Sequence, residues 1–301
     1  MEIIKADNLK NFVDSFDNFL FDCDGVLWDG PRLIPGAQDA LRLLRKLGKK
    51  IFFITNNSSK TREDLLKKFE RLEFEAHTEE IICTAHVIAW YLKEELKYAG
   101  KVYMIGSVAL GHELDCVGIR HSGLGEDVFP EGFNYDKDFI FEVDPEVKCV
   151  VAALDTQFSY KKLTKATTYL YQKPDTLFIG SNTDAQMPMN KIVLPGTGSI
   201  VKSVEHATGR KSDVIGKPEK PMFKFLQKTQ NLDKDKTVIF GDRLETDIKF
   251  ARNNDFKSVL VSTGIHSFED GMRNMSSNSI EHQKLVPHYF MDSVGVLNEY
   301  L

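Results

Sequence analysis

Short apolar runs rich in Ile, Val and Phe alternate with amphipathic stretches along almost the whole of this 301-residue chain. Residues 18–22, 51–55 and 237–240 are typical of buried strands, whereas residues 38–47 and 61–73 are typical of helices with one apolar face. Strands separated by helices predict a parallel sheet with crossover connections. We therefore predict an α/β fold with a Rossmann-like, doubly wound sheet. The length accommodates one large domain or two smaller ones, and we expect two.

The same alternation continues through the middle and the C-terminal part of the chain. Apolar, β-branched runs predict further strands, and an apolar period of 3.6 residues predicts a helix among them. The predicted strands are residues 102–105, 149–154, 177–180, 192–194, 214–216 and 259–262, and the predicted helix is residues 160–171. No internal repeat accompanies this pattern, so a repeat architecture is not indicated.

The charge balance limits the classes of partner. The formal net charge is −5 and the sequence pI is about 5.9, so the chain has no general attraction for nucleic acid or an anionic membrane. The first residues lack a signal peptide, and no apolar run is long enough to span a bilayer. We expect a cytoplasmic protein with neither a nucleic-acid nor a membrane partner. Cys23, Cys83, Cys116 and Cys149 lack CxxC spacing, which predicts reduced thiols.

The most informative segment is residues 19–30, which read FLFDCDGVLWDG. An apolar strand here delivers two carboxylates, Asp22 and Asp24, and then breaks at Gly25. Open α/β sheets bind ligands at the carboxyl ends of their strands, and glycine permits the sharp turn that aims both acids at one point. Taken alone, the same residues also fit an ordinary turn after a strand.

Two further segments offer groups that bind phosphate. Residues 54–59, ITNNSS, place the hydroxyl of Thr55, the amides of Asn56 and Asn57 and several backbone N–H groups ahead of a helix. A capping loop without a ligand is the alternative. Lys217, between Gly216 and Pro218, is presented by a fixed turn, and by itself it also fits a solvated surface lysine.

A second acidic strand end lies far along the chain, in residues 238–248, VIFGDRLETDI. Asp242 follows the predicted strand, and Asp247 lies in the turn that follows it. Asp247 could simply favour a helix N-terminus electrostatically. The conjunction of strand ends that carry acids, a hydroxyl and a lysine is what favours a common site.

Charge arithmetic predicts a metal ion in that site. Two like charges about 4 Å apart repel by roughly 4 kcal/mol at an effective dielectric of 20, so a phosphate dianion among these carboxylates requires a cation. Oxygen ligands without a zinc-type His or Cys cluster indicate Mg²⁺. Attack on phosphorus needs an ionised carboxylate, and the departing alkoxide needs a proton. We therefore predict Asp22 as the nucleophile and Asp24 as the general acid, which later activates water.

At these four segments the sequence resembles the haloacid dehalogenase-like hydrolases, and within them the para-nitrophenyl phosphatase group. The resemblance covers nearly the whole chain. The stretches that carry it are DCDGVLWDG, FITNNSSKTR, QFSYKKLTKA, LPGTGSIVKSVE, IGKP and GDRLETDI. Together they are far more specific than the paired aspartates alone.

The resemblance implies a domain organisation and a set of residue roles. Its core would comprise residues 1–98 and 206–301, with an α/β cap domain of residues 99–205 inserted between them. The resemblance makes Asp22 nucleophile and Mg²⁺ ligand, Asp24 an acid/base that also gives its main-chain carbonyl to Mg²⁺, Asp242 the remaining metal ligand, Asp247 a supporting residue, and Thr55, Asn56, Asn57 and Lys217 the phosphate ligands. Related enzymes often form homodimers through the cap, and we expect the same here.

The substrate implied by the resemblance is a small phosphorylated metabolite. The cap loop of residues 182–190 should select it, and Met187 stands where pyridoxal phosphate phosphatases of this group carry a histidine. A thioether cannot replace the hydrogen bond of an imidazole. This favours 2-phosphoglycolate or glycerol 3-phosphate, with pyridoxal phosphate as the alternative. Met187 could equally be a packing residue of the cap.

Two alternative functions other than hydrolysis use the same kind of acceptor aspartate. A phosphorylation-responsive binding module also uses an acceptor aspartate on a doubly wound sheet, but the second acid, Asp24, and a large cap argue against it. A phosphomutase would return the phosphoryl group to its substrate. Phosphate release separates both from a phosphatase.

Overall fold

The computed structural model describes residues 1–134, 141–189 and 192–300. Two compact units divide the chain, one of Met1–Thr55, Arg62–Ile82 and Lys217–Leu301, the other of Asn56–Thr61 and Cys83–Gly216. The predicted insertion of residues 99–205 lies within the second unit, which also takes in residues on either side of it. The chain thus leaves the first unit and returns to it.

Helices and strands alternate along the chain in the predicted manner. The strands are β1 (Glu2–Ile3), β2 (Asn18–Phe21), β3 (Trp28–Asp29), β4 (Arg32–Leu33), β5 (Lys50–Thr55), β6 (Ile81–Cys83), β7 (Lys101–Ile105), β8 (His121–Ser122), β9 (Val147–Ala152), β10 (Leu177–Gly180), β11 (Gln186–Met189), β12 (Ile192–Pro195), β13 (Asp213–Val214), β14 (Thr237–Gly241), β15 (Lys257–Val261) and β16 (Tyr289–Met291). The α-helices are α1 (Ala6–Ser15), α2 (Ala37–Lys46), α3 (Arg62–Arg71), α4 (Thr84–Trp90), α5 (Val108–Cys116), α6 (Tyr160–Gln172), α7 (Thr197–Thr208), α8 (Pro221–Gln230), α9 (Lys249–Asn253), α10 (Phe268–Met275) and α11 (Ile280–Gln283). Short 3₁₀ turns at Thr78–Glu80, Lys234–Lys236 and Val294–Glu299 and π-helical turns at Tyr91–Glu95 and Leu244–Ile248 complete the described structure.

The first unit is built on a seven-stranded sheet in the order β1-β16-β15-β14-β2-β5-β6. The pairs from β1 to β5 along this order are parallel. All four residues of β2 are buried, which suits a central strand covered on both faces. The rings of Phe19 and Phe21 stack on Phe240 of the neighbouring strand, and their centroids lie 6.2 and 4.9 Å from that of Phe240. Large apolar side chains therefore fix the two strands in register.

The second unit has its own five-stranded sheet in the order β13-β10-β9-β7-β8, and its strand pairs are parallel. Its apolar core includes Tyr103, Val150 and Tyr169, with Val201 and Val204 from α7. An antiparallel hairpin, β11–β12, lies apart from this sheet. Two parallel sheets with crossover helices confirm the predicted α/β class.

All four cysteines are free thiols, as predicted. Within the described residues, none of the helices combines the length and the apolar character needed to cross a bilayer.

Candidate active site

Three neighbouring strands of the first unit end side by side. In the parallel register Phe21 of β2 faces Phe240 of β14 on one side and Phe53 of β5 on the other. The backbone N–H of Asp22 donates to the carbonyl of Phe240, at 2.9 Å. The chain runs outwards from β2 through β5 to β6, and later from β14 through β15 to β16 in the opposite direction. The strand order thus reverses between β2 and β14, where open α/β sheets bind their ligands.

Lys217 is buried at this sheet edge, with only 2% of its side chain exposed. Its ammonium nitrogen lies 2.8 Å from Oδ1 of Asp22, 2.7 Å from Oδ1 of Asp247 and 2.9 Å from the carbonyl oxygen of Ile54. The ammonium group of Lys217 therefore donates hydrogen bonds to oxygen atoms from three segments of the first unit. The alternative of a solvated surface lysine does not describe this residue.

Three carboxylates converge beside Lys217. One oxygen of each of Asp22, Asp242 and Asp247 lies within 4.8 Å of the others. Oδ2 of Asp242 accepts a hydrogen bond from the N–H of Ile265 at 2.8 Å. Asp247 lies in the π-helical turn before α9. It is completely buried and lies in the same cluster of carboxylates as Asp22 and Asp242, and the supporting position that the resemblance gave it stays a prediction.

Glycines surround Asp242 closely. Gly25 has a φ of +84°, which side chains rarely adopt, and a Cβ at this position would lie 2.5 Å from Oδ2 of Asp242. A Cβ on Gly264 would lie 2.0 Å from the same oxygen. The break at Gly25 therefore does two things: it turns the chain after β2 and it leaves space for an acid from a distant segment.

Burial and the neighbouring charges shift the pKa values of the residues in this cluster. Burial raises the pKa of Asp22 well above its ordinary value, Lys217 opposes the rise, and Asp247 and Asp242 add to it. Burial, followed by the charge of Asp247, raises the pKa of Asp242 to about 6. Burial disfavours the ammonium form of Lys217, but Asp22 and Asp247 outweigh it and raise the pKa of Lys217. Three carboxylates beside one ammonium group leave an excess of negative charge. A divalent cation that prefers oxygen ligands would neutralise this excess.

Asp24 differs from Asp22 in exposure, since 65% of its side chain is accessible. Its Oδ1 accepts a hydrogen bond from Nε1 of Trp28 at 2.8 Å and lies 3.4 Å from Nζ of Lys68. Neither Trp28 nor Lys68 was predicted as a site residue. The indole within DCDGVLWDG, four residues after Asp24, was the signal that could have indicated the first of them.

Thr55, Asn56 and Asn57 lie where the chain passes from the first unit to the second. Thr55 is buried at the end of β5, and Asn56 begins the second unit. The amide of Asn56 donates to Asp184 at 3.2 Å, and its carbonyl accepts from Asn182 at 2.8 Å. The Asn57 side chain accepts backbone N–H groups of the loop that follows, as in a capping turn. Roles of Asn56 and Asn57 in phosphate binding stay predictions.

Met187 lies in β11, opposite Leu194 of β12. Residues 186–189 of the predicted cap loop, residues 182–190, thus form one strand of a hairpin. Asn190, its last residue, lies outside the described residues. The proposed role of Met187 in substrate choice stays a prediction.

Comparison with known proteins places this chain in a family. Profiles described as haloacid dehalogenase-like hydrolase and HAD-hydrolase-like match residues 19–120 and 214–295. A glycerol-3-phosphate phosphatase from Rattus norvegicus is 41% identical over 305 residues, which cover 98% of this chain and 94% of the relative. The chain belongs to the haloacid dehalogenase-like hydrolases.

Other members of the haloacid dehalogenase-like hydrolases support the assignment. A 4-nitrophenylphosphatase from Schizosaccharomyces pombe is 37% identical and covers 96% of both chains. The structure of a p-nitrophenyl phosphatase from Archaeoglobus fulgidus has a TM-score of 0.78 at 26% identity and covers 95% of this chain and 100% of that one. These full-length similarities confirm the predicted enzyme class, a phosphoric monoester hydrolase of the haloacid dehalogenase-like type.

Proposed function

We propose that this chain is a Mg²⁺-dependent phosphatase that hydrolyses small phosphomonoesters through a phosphoaspartyl intermediate on Asp22. The observation that carries the proposal is the contact of one buried ammonium, that of Lys217, with Asp22 and Asp247 beside a third carboxylate, Asp242. A buried cluster of this charge needs a cation and a second positive group if a phosphate dianion is to enter it.

Asp22 and Asp24 divide the chemistry between them. An ionised oxygen of Asp22 attacks phosphorus, the P–O bond to the leaving group breaks, and Asp24 gives its proton to the departing alkoxide. Asp24, now ionised, takes a proton from water, whose oxygen attacks the phosphoaspartate. Inorganic phosphate leaves, Asp22 is again a free carboxylate, and Asp24 is again protonated.

Mg²⁺ held by Asp22, Asp242 and the main-chain carbonyl of Asp24, with support from Asp247, would neutralise the phosphate charge during both transfers. Lys217 adds a fixed positive charge next to the attacking carboxylate, and Thr55 offers a hydroxyl at the end of β5. Asn56 and Asn57 follow Thr55 directly in sequence and are assigned to the phosphate by the resemblance alone.

The proposed substrate is glycerol 3-phosphate or 2-phosphoglycolate. The name of the rat relative, at 41% identity over nearly the whole chain, supports the first. Met187 in place of a histidine disfavours pyridoxal phosphate, which is the second candidate. The highest kcat/KM in a panel of these three esters identifies the preferred substrate, and a maximum for pyridoxal phosphate would overturn the order.

The test of the mechanism is Asp22→Asn. We expect loss of phosphate release and loss of a phosphoryl adduct on the Asp22 peptide, which mass spectrometry after rapid acid quench detects in the unsubstituted enzyme. Asp29→Asn, an exposed acid of the same segment, is the matched control and should retain both. Turnover by the Asp22→Asn protein would overturn the nucleophile assignment. Failure of the unsubstituted protein to release phosphate from any ester would favour a phosphorylation-responsive binding module.

We also propose a cytoplasmic homodimer that associates through the inserted unit. Light scattering of the purified protein should give twice the monomer mass, and a concentration-independent monomer would contradict this. Fractionation of the source cells tests the compartment.

A further inference from the structure

We propose that Trp28 and Lys68 are positioning residues that orient the carboxyl group of Asp24, so that its Oδ2 carries every proton that this residue transfers. The inference rests on the proposed role of Asp24 as acid and base, and it adds two residues and one specific atom to it. Both contacts that define it lie within the first unit.

The indole of Trp28 is held rigidly. Only 1% of the residue is exposed, and its ring packs edge-on against Phe69 and Phe74, with centroids 4.9 and 5.9 Å away. The backbone closes the same turn, because the carbonyl of Trp28 accepts from the N–H of Gly25 at 2.7 Å. A buried indole N–H seeks an acceptor, and here it finds Oδ1 of Asp24 at 2.8 Å. A fixed donor thus holds a side chain that is itself mostly exposed.

Lys68 reinforces this arrangement from α3. Its ammonium lies 4.3 Å from the centroid of the Trp28 ring and 3.4 Å from Oδ1 of Asp24. The cation is therefore attracted both to the face of the indole and to the carboxylate. Because the side chain of Lys68 is three-quarters buried, it has fewer accessible conformations than a fully exposed lysine.

Both donors face the same oxygen, and this decides where a proton can reside. Among the described residues, the polar contacts of Asp24 all fall on Oδ1. An indole N–H and an ammonium have no lone pair to accept a proton from Oδ1, so the protonated acid carries its hydrogen on Oδ2. The same Oδ2 gives its proton to the leaving alkoxide and later takes one from water. Correct orientation of one oxygen then contributes to both half-reactions.

The leaving group separates positioning from general damage. An alkyl phosphate such as glycerol 3-phosphate needs a proton on its leaving oxygen, whereas p-nitrophenolate departs without one. Trp28→Phe keeps an aromatic ring and removes the donor. We expect kcat/KM to fall by about 10- to 100-fold for glycerol 3-phosphate, since general acids contribute this much or more, and to fall less than threefold for p-nitrophenyl phosphate. Lys68→Met should give a smaller loss with the same selectivity.

Phe74→Leu is the matched control, because it loosens the same aromatic cluster and leaves the Trp28 donor in place. It should leave the ratio of the two kcat/KM values unchanged. Equal losses on both substrates in Trp28→Phe, or no loss on either, would leave this ratio unchanged and would overturn the inference. Far-UV circular dichroism shows whether Trp28→Phe is folded, and if it is not, Lys68→Met alone decides by the same ratio.

Asp24→Asn distinguishes this inference from the proposed function. A selective loss on glycerol 3-phosphate in Asp24→Asn, with none in Trp28→Phe, overturns the positioning role and leaves the acid assignment intact. An equal loss on both esters in Asp24→Asn overturns the acid assignment and the positioning role with it.

Discussion

The ammonium nitrogen of Lys217 lies 2.8 Å from Oδ1 of Asp22, although 195 positions separate the two residues in sequence. The same nitrogen contacts Asp247 at 2.7 Å. Lys217 is thus the link between the acid that follows β2 and the acid that follows β14. We therefore expect the stability of the sheet edge and the proposed reaction to depend on the same ion pairs.

Replacing Lys217 by Met should lower both the stability and the activity of the protein. The change leaves Asp22 and Asp247 buried without their ammonium partner, which costs about 3–5 kcal/mol when one member of a buried pair is removed. We expect kcat/KM to fall by about 100-fold or more, the scale on which a fixed charge-stabilising group contributes. Urea unfolding and steady-state kinetics measure the two effects. Lys220→Met, at an exposed position, should change neither, and wild-type kinetics in Lys217→Met would contradict the placement.

Removal of divalent cations should destabilise the folded protein as well as stop the reaction. The carboxylates of Asp22, Asp242 and Asp247 repel one another when only Lys217 balances them. Addition of Mg²⁺ to chelator-treated protein should therefore raise Tm, by the linkage between binding and folding. Asp242→Asn removes one of these charges, and we expect it to shrink this Mg²⁺-dependent shift in Tm. An equal shift in the variant would show that the cation binds elsewhere.

Gly25→Ala should disturb Asp242 specifically. The φ of +84° costs an alanine about 1–2 kcal/mol, and the added methyl group would also overlap Oδ2 of Asp242. Gly30→Ala is a close control, because its φ is +58° and no atom lies within 4 Å of the added Cβ. Both variants should lose stability in thermal melts, but only Gly25→Ala should also lose activity and Mg²⁺ affinity. Equal activity of the two would contradict the close approach.

His288 should make the protein less stable in mild acid. Burial, followed by nearby positive charges, lowers the pKa of His288 from 6.5 to about 3. The unfolded chain takes up a proton near pH 6.5, whereas the folded protein does so only near pH 3. Stability is therefore complete above pH 6.5 and falls as the pH drops towards 3, by at most about 1.4 kcal/mol per unit and by less because the ring is partly exposed.

Urea unfolding at a series of pH values tests this dependence. His288→Gln should flatten the acid side of the stability profile, even though it also loses the hydrogen bonds to Ser258. His282→Gln, at an exposed position, should preserve the slope. An unchanged slope in His288→Gln would assign the acid sensitivity to other groups.

Sequence reasoning predicted best the parts of the fold that are long and strongly patterned. The buried strands around Phe21, Phe53 and Phe240 were predicted to within about one residue at each end, because continuous apolar runs between turn residues leave few alternatives. The terminal elements β1, α1 and β16 were not predicted. Two- and three-residue strands carry too little pattern, and their place is fixed by pairing with distant strands.

The site shows the same division. Asp22, Asp242 and Lys217 could be predicted because each follows a readable strand or turn. The contacts of Trp28 and Lys68 with Asp24 depend on the path of the loop after β2 and on how α3 packs against it, which no local pattern specifies. The π-helical turn brings Asp247 so close to Gly241 that a Cβ there would lie 2.1 Å from Cβ of Asp247, and no local pattern specifies this approach either.

The strand order also constrains when the enzyme can become active during synthesis. β2 emerges from the ribosome early, but its partner β14 begins at Thr237, and Asp242 and Asp247 follow it. A nascent chain that stops before this point carries the proposed nucleophile, Asp22, without the other two acids of the cluster, Asp242 and Asp247. The proposed phosphoryl transfer should therefore become available only after Asp247 has been synthesised, and fragments released before that point should be chemically silent.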